Sequence, residues 1–179
     1  MDFDQLKSAL QSLKGVSSYF RGCVVLSDFE KFCKDTFNFS SCRNIYVILI
    51  GNKGESIGHF ILFYWISNAS SCRCIIADSL GFQVSSIGQK RLQRILEFTK
   101  TTSVQSSSVA VQDRSSCMCG AWVIAFTIWL TNGYSLAEIE RLLKHRNPKT
   151  NDQLLYSYLR DKIGLSNRPQ LMRCKLLDN

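Results

Sequence analysis

The run Cys119–Leu130, CGAWVIAFTIWL, is apolar on every side when wound as a helix. Its uninterrupted part, Ala121–Leu130, is far short of the ~20 residues that a membrane span requires. A helix with no polar face has to be buried in the middle of a domain, so the rest of the chain must fold around it.

The enclosing elements can be read from periodicity. Residues 2–14 place Phe3, Leu6, Leu10 and Leu13 at helical spacing, and Gly15 supplies a stop. A shorter amphipathic stretch covers 24–37. NIYVILIGN (44–52) reads as a buried strand closed by a turn at Gly51-Asn52. Residues 59–66 and 72–78 read as two further strands joined by the polar loop SNASS. Residues 89–100 form a basic helix that offers Leu92, Ile95, Leu96 and Phe98 to the core, and SVAVQ (108–112) reads as another strand. Amphipathic helices are expected around 135–144 and 152–162, followed by a basic tail. The sum is an α+β fold: one domain over 1–179, with a mixed central β-sheet, a buried central helix and flanking helices.

Composition limits the class. The chain has 179 residues, is 45% hydrophobic and has two prolines, which excludes a disordered protein. Net charge is +8, a balance that suits a polyanionic partner or an acidic substrate surface. The eight cysteines are many for this length. The start, MDFDQLKSALQSLKG, has no basic segment leading into an apolar one, so no secretory signal is expected and the thiols are expected to be reduced. A monomer with no membrane partner is the expectation.

Four residues carry chemistry. Cys119 opens the apolar helix and Gly120 follows it, leaving space beside the sulfur. Unpaired N–H groups at a helix N-terminus favour the thiolate, the form that attacks. Taken alone, Cys119 reads as a small core residue. Cys117 competes for the role, but it precedes the helix and lacks the glycine. Of the two histidines, His145 lies in the polar segment KHRNPK, whereas His59 sits between a loop and the apolar strand FILFYWI, where a base is both held and reached. Asp78 ends the neighbouring strand; it suits either a turn or a carboxylate that fixes the imidazole tautomer. Gln112 stands seven residues before Cys119 and can offer an amide N–H to a developing oxyanion, together with the Cys119 N–H.

In the order His59, Asp78, Gln112, Cys119, these residues resemble the adenovirus endopeptidase (adenain) family of cysteine proteases, in the clan that also holds the SUMO-deconjugating proteases. His59-Phe60 resembles the family's His-Trp strand opening. Asp78-Ser79-Leu80-Gly81-Phe82 resembles its Glu-Pro-Phe-Gly-Phe segment, with aspartate in place of glutamate. Gly15–Gly22 and Asn151–Leu159 resemble its N-terminal segment and a C-terminal helix. The resemblance implies a permuted papain-like fold and a maturation protease that cuts viral precursor proteins at glycine-containing sites, in the host nucleus and the virion. It implies His59, Asp78, Gln112 and Cys119 as catalytic, with Gln112 and Cys119 forming the oxyanion hole and no metal. The sequence itself requires no cofactor; the resemblance implies DNA and an activating peptide. Lys90, Arg91 and Arg94 are the candidate DNA contacts. The family's peptide is tethered through a cysteine at the position that is Thr101 here, so that covalent link does not carry over.

Two other readings compete. One is a protease that removes ubiquitin-like or SUMO-like modifiers, whose substrates also end in Gly-Gly. The other is a non-catalytic, basic nucleic-acid-binding protein whose Cys72/Cys74 and Cys117/Cys119 pairs hold zinc, although zinc sites more often space their ligands by two to four residues.

Overall fold

The computed structural model describes residues 1–51 and 58–163, leaving the expected turn at Asn52 and the basic tail outside the described residues. The described elements run α1 (Phe3–Ser12), β1 (Phe20–Val25), α2 (Phe29–Thr36), β2 (Arg43–Ile50), β3 (His59–Ser67), β4 (Cys72–Ala77), α3 (Gln89–Phe98), β5 (Ser103–Ser106), α4 (Cys119–Thr131), α5 (Leu136–Leu143) and α6 (Pro148–Ile163). The five strands form one mixed sheet in chain order. β2, β3 and β4 are antiparallel neighbours, while β1 and β5 join the edges in parallel.

Parallel neighbours need a crossover, and here helices supply both: α2 between β1 and β2, α3 between β4 and β5. Both helices pack on one face of the sheet, over Tyr46, Ile48, Ile61, Phe63, Trp65 and Ile76. The opposite face, with Ile45, Val47, Phe60, Leu62, Tyr64 and Ile75, receives α1, α4, α5 and α6. Strand side chains alternate between faces, so a sheet covered on both sides needs the unbroken apolar run seen in FILFYWI. As expected from its lack of a polar face, α4 is the interior helix: ten of its thirteen residues are buried. Among the described residues, no helix is long and apolar enough to cross a membrane.

The structure corrects three sequence expectations. SVAVQ (108–112) is not a strand; the fifth strand is the polar SVQS segment, five residues earlier. An edge strand with exposed side chains does not require an apolar run. The N–H groups of 108–112 go elsewhere: Ser108 and Val109 donate to the Glu140 carboxylate, and Val111 and Gln112 to the Ser79 carbonyl. The second correction is to the amphipathic stretch 24–37: its first two residues end β1, which no periodicity announced, and α2 covers only Phe29–Thr36. The β1 ladder is bulged between Phe20 and Gly22, and Gly22 has φ +147° under the Phe32 ring, a conformation and a closeness that a side chain resists. Finally, α6 starts four residues before the expected boundary, on Pro148, whose missing N–H costs nothing in a first turn.

Candidate active site

The site forms where the N-terminus of α4 meets the start of β3. Met118 precedes α4 without a side-chain cap, so no capping group competes for the N–H groups of the first turn. Cys119 is only 9% exposed, with Sγ 3.9 Å from the Gly58 carbonyl oxygen. Burial pushes its thiol up, but the hydrogen bond with His59, the Phe60 N–H, the imidazole charge and the Gly120 N–H together bring it below the ordinary value. Gly58 lies hard against β2: a Cβ there would collide with the Leu49 side chain.

His59 is the first residue of β3 and pairs with Ile50 of β2. The β3/β4 register sets Leu62 opposite Ala77, so the chain leaving β4 runs toward the histidine end. Asp78 is the first residue beyond β4, and its Oδ1 accepts from His59 Nε2 at 2.6 Å and from the Leu80 N–H at 2.8 Å. Its own N–H donates to Ser107 Oγ at 3.0 Å. Burial pushes the His59 imidazole down; the hydrogen bonds to Asp78 and Cys119, with the charges of both, carry it the other way, up to about 9. The two shifts run in opposite directions, each group favouring the charged form of the other: an imidazolium beside a thiolate.

An Asp78→Asn chain keeps an acceptor for Nε2 but loses the charge. Its His59 imidazole is therefore expected to titrate below about 9, read by NMR. An unmoved titration would exclude Asp78 as the group that holds the imidazolium.

Gln112 is 3% exposed and wired at both ends of its amide. Ser79 Oγ donates to Oε1 at 2.6 Å, and Nε2 donates to the Ser116 carbonyl at 2.8 Å. The amide orientation is thus fixed, and Nε2 retains a second hydrogen. Sequence reasoning passed over the supporting shell: Gly58, Ser79, Ser107, Asn151 and Asp152. Ser79, Ser107, Asn151 and Asp152 join Asp78 and Gln112 as six of the nine buried polar residues described, so the buried polarity of this chain concentrates here. The one available signal was NDQLLYSYL, where two polar residues take the inner face of an amphipathic helix.

Other sequence candidates lie apart. Lys90, Arg91 and Arg94 ride on α3, across the sheet from α4, and Arg94 is engaged in a two-pronged ion pair with Glu30 of α2. His145 is exposed beyond α5. Cys72 and Cys74 pack in the α2/α3 core and Cys119 in the α4 core, so the sheet separates the pairs that a shared zinc would need. Among the described residues, no group of three or more His, Cys, Asp or Glu could hold a metal ion. Cys23, Cys33, Cys42, Cys72, Cys74 and Cys119 carry free thiols.

Neither a family model nor a curated protein sequence matches the chain. Solved structures do. The ASFV pS273R protease matches with a TM-score of 0.57 and 12% identity, over 86% of this chain and 65% of its own. The central domain of the uncharacterized Lpg1148 protein from Legionella pneumophila matches with a TM-score of 0.53 and 11% identity, over 90% of this chain and 96% of its own. At such identities the likeness shows the fold alone: an α+β fold shared with the ASFV pS273R protease. This chain spans slightly less than two thirds of the length of the ASFV protease.

Proposed function

We propose that this chain is a cysteine endopeptidase that matures viral precursor proteins by cutting at glycine-containing sites. The observation that carries the reading is the linear arrangement Asp78–His59–Cys119 at the uncapped start of a buried helix. The Cys119 thiolate attacks the scissile carbonyl, and the His59 imidazolium protonates the departing amine. The resulting thioester is then hydrolysed by water, with neutral His59 as the base. Gln112 Nε2 and the Cys119 N–H stabilise the oxyanion in both steps. The adenain-like motifs and the fold shared with a viral protease support the viral part of the reading.

The test is to present the purified chain with a Gly-Gly-containing peptide, candidate precursors, and SUMO and ubiquitin conjugates. Cleavage of peptide and precursor with conjugates intact supports maturation; cleavage of conjugates alone assigns the chain to modifier removal. In the same assay Gln112→Ala is expected to lower turnover about 10²–10³-fold, the usual cost of one oxyanion donor. A change below about threefold would remove Gln112 from the oxyanion hole.

A further inference from the structure

The two oxyanion donors sit on different segments, Gln112 on an irregular loop and the Cys119 N–H on α4. Their separation has to be held by something that touches both. α6 does so. Asp152 Oδ1 accepts from the Trp122 indole N–H of α4 at 2.7 Å, and its Oδ2 accepts from the Asp113 N–H at 3.2 Å. The adjacent Asn151 donates through Nδ2 to the carbonyl of Val111 at 3.1 Å and of Leu143 at 3.2 Å. The residues immediately before and after Gln112 are therefore both tied to α6, as is the indole one turn beyond Cys119. Asn151 and Asp152 are 1% and 8% exposed, so these bonds form where water does not compete.

We infer that Asp152, seconded by Asn151, is a positioning residue that sets the distance between the two oxyanion donors. The inference rests on the protease reading of Cys119. Asp152 touches no reacting atom; it acts through Gln112 and α4. A shift of about 1 Å in such a constellation is enough to cost ~10²-fold in rate.

Two reactions of one sulfur separate this role from mere support of the fold. Acylation by p-nitrophenyl acetate passes through an oxyanion; alkylation by iodoacetamide displaces iodide from a saturated carbon and does not. Both are read at Cys119 by mass spectrometry and corrected with Cys119→Ala, because the exposed Cys42 also reacts. Asp152→Asn is expected to slow acylation by about 10-fold or more while alkylation and its pH profile stay within about twofold. Trp122→Phe, which keeps a buried ring but removes the donor, is expected to act in the same direction and serves if Asp152→Asn fails to fold. In a Gln112→Ala background the Asp152→Asn effect is expected to shrink, since the donor it positions is gone. Unchanged acylation in both variants, equal losses in both reactions, or a full additional loss on top of Gln112→Ala would each overturn the inference. A wild-type Cys119 inert to both reagents would instead overturn the protease reading, and this one with it.

Discussion

Replacing Cys119 by alanine is expected to lower peptide hydrolysis at least ~10⁴-fold, down to whatever the oxyanion donors and substrate binding achieve without a nucleophile. No other described free thiol is a substitute. Burial pushes Cys23 and Cys33 up to about 12 and Cys74 well above the ordinary range, so their thiols stay protonated and unreactive. Cys42 precedes Arg43, which pairs with Ile66, and Cys72 pairs with Ser67, so both lie at the end of β3 opposite His59. The substitution removes one sulfur from a small site, so stability should change by about 1 kcal/mol. A second readout is independent of substrate. The hydrogen bond and charge of Cys119 help raise His59, so in Cys119→Ala the imidazole should titrate below about 9. The chain has only two histidines, which makes that titration readable by NMR. Cleavage by Cys119→Ala above about 1% of wild type would place the nucleophile elsewhere.

The parts of this site that the sequence disclosed are those whose chemistry is scarce or whose surroundings are extreme. Two histidines leave little choice of base, and a helix with no polar face must lie inside, which fixes the depth of the cysteine at its start. β3 and β4 were legible for the same reason, since both sheet faces are covered and their interior positions, Arg73 aside, are apolar. What was not legible depends on pairing between distant segments. β1 hides behind a bulge and a positive-φ glycine, and β5 is polar because it is an edge. The Ser79–Gln112 and Asp152–Trp122 bonds join residues 33 and 30 apart in sequence, and neither end alone differs from an ordinary loop or helix residue. A donor such as Gln112 can be suspected from its spacing to Cys119; the groups that aim it become visible only in three dimensions.

His59→Ala should be nearly as damaging as loss of the thiol, about 10⁴-fold, but by a different route that pH exposes. In the wild type the Cys119 thiol is held below its ordinary range in large part by His59, and burial alone would push it up. Alkylation of Cys119 in His59→Ala is therefore expected to need a higher pH than in wild type, approaching or exceeding the free-thiol value of about 8.5. The alkaline limb near 9, where wild-type His59 gives up its proton, should vanish along with hydrolysis. Stability follows the same group. The folded-state pKa of His59 lies above the ordinary 6.5, so the folded chain binds the proton more tightly than the unfolded one. That stabilisation is complete below 6.5 and is lost as pH rises through about 9. Wild type and His59→Ala should therefore differ most in unfolding free energy at the acidic end of this window and converge toward its alkaline end. A constant difference across the window would mean that His59 gains no proton affinity from Asp78 and Cys119, and that the imidazolium–thiolate pair does not form.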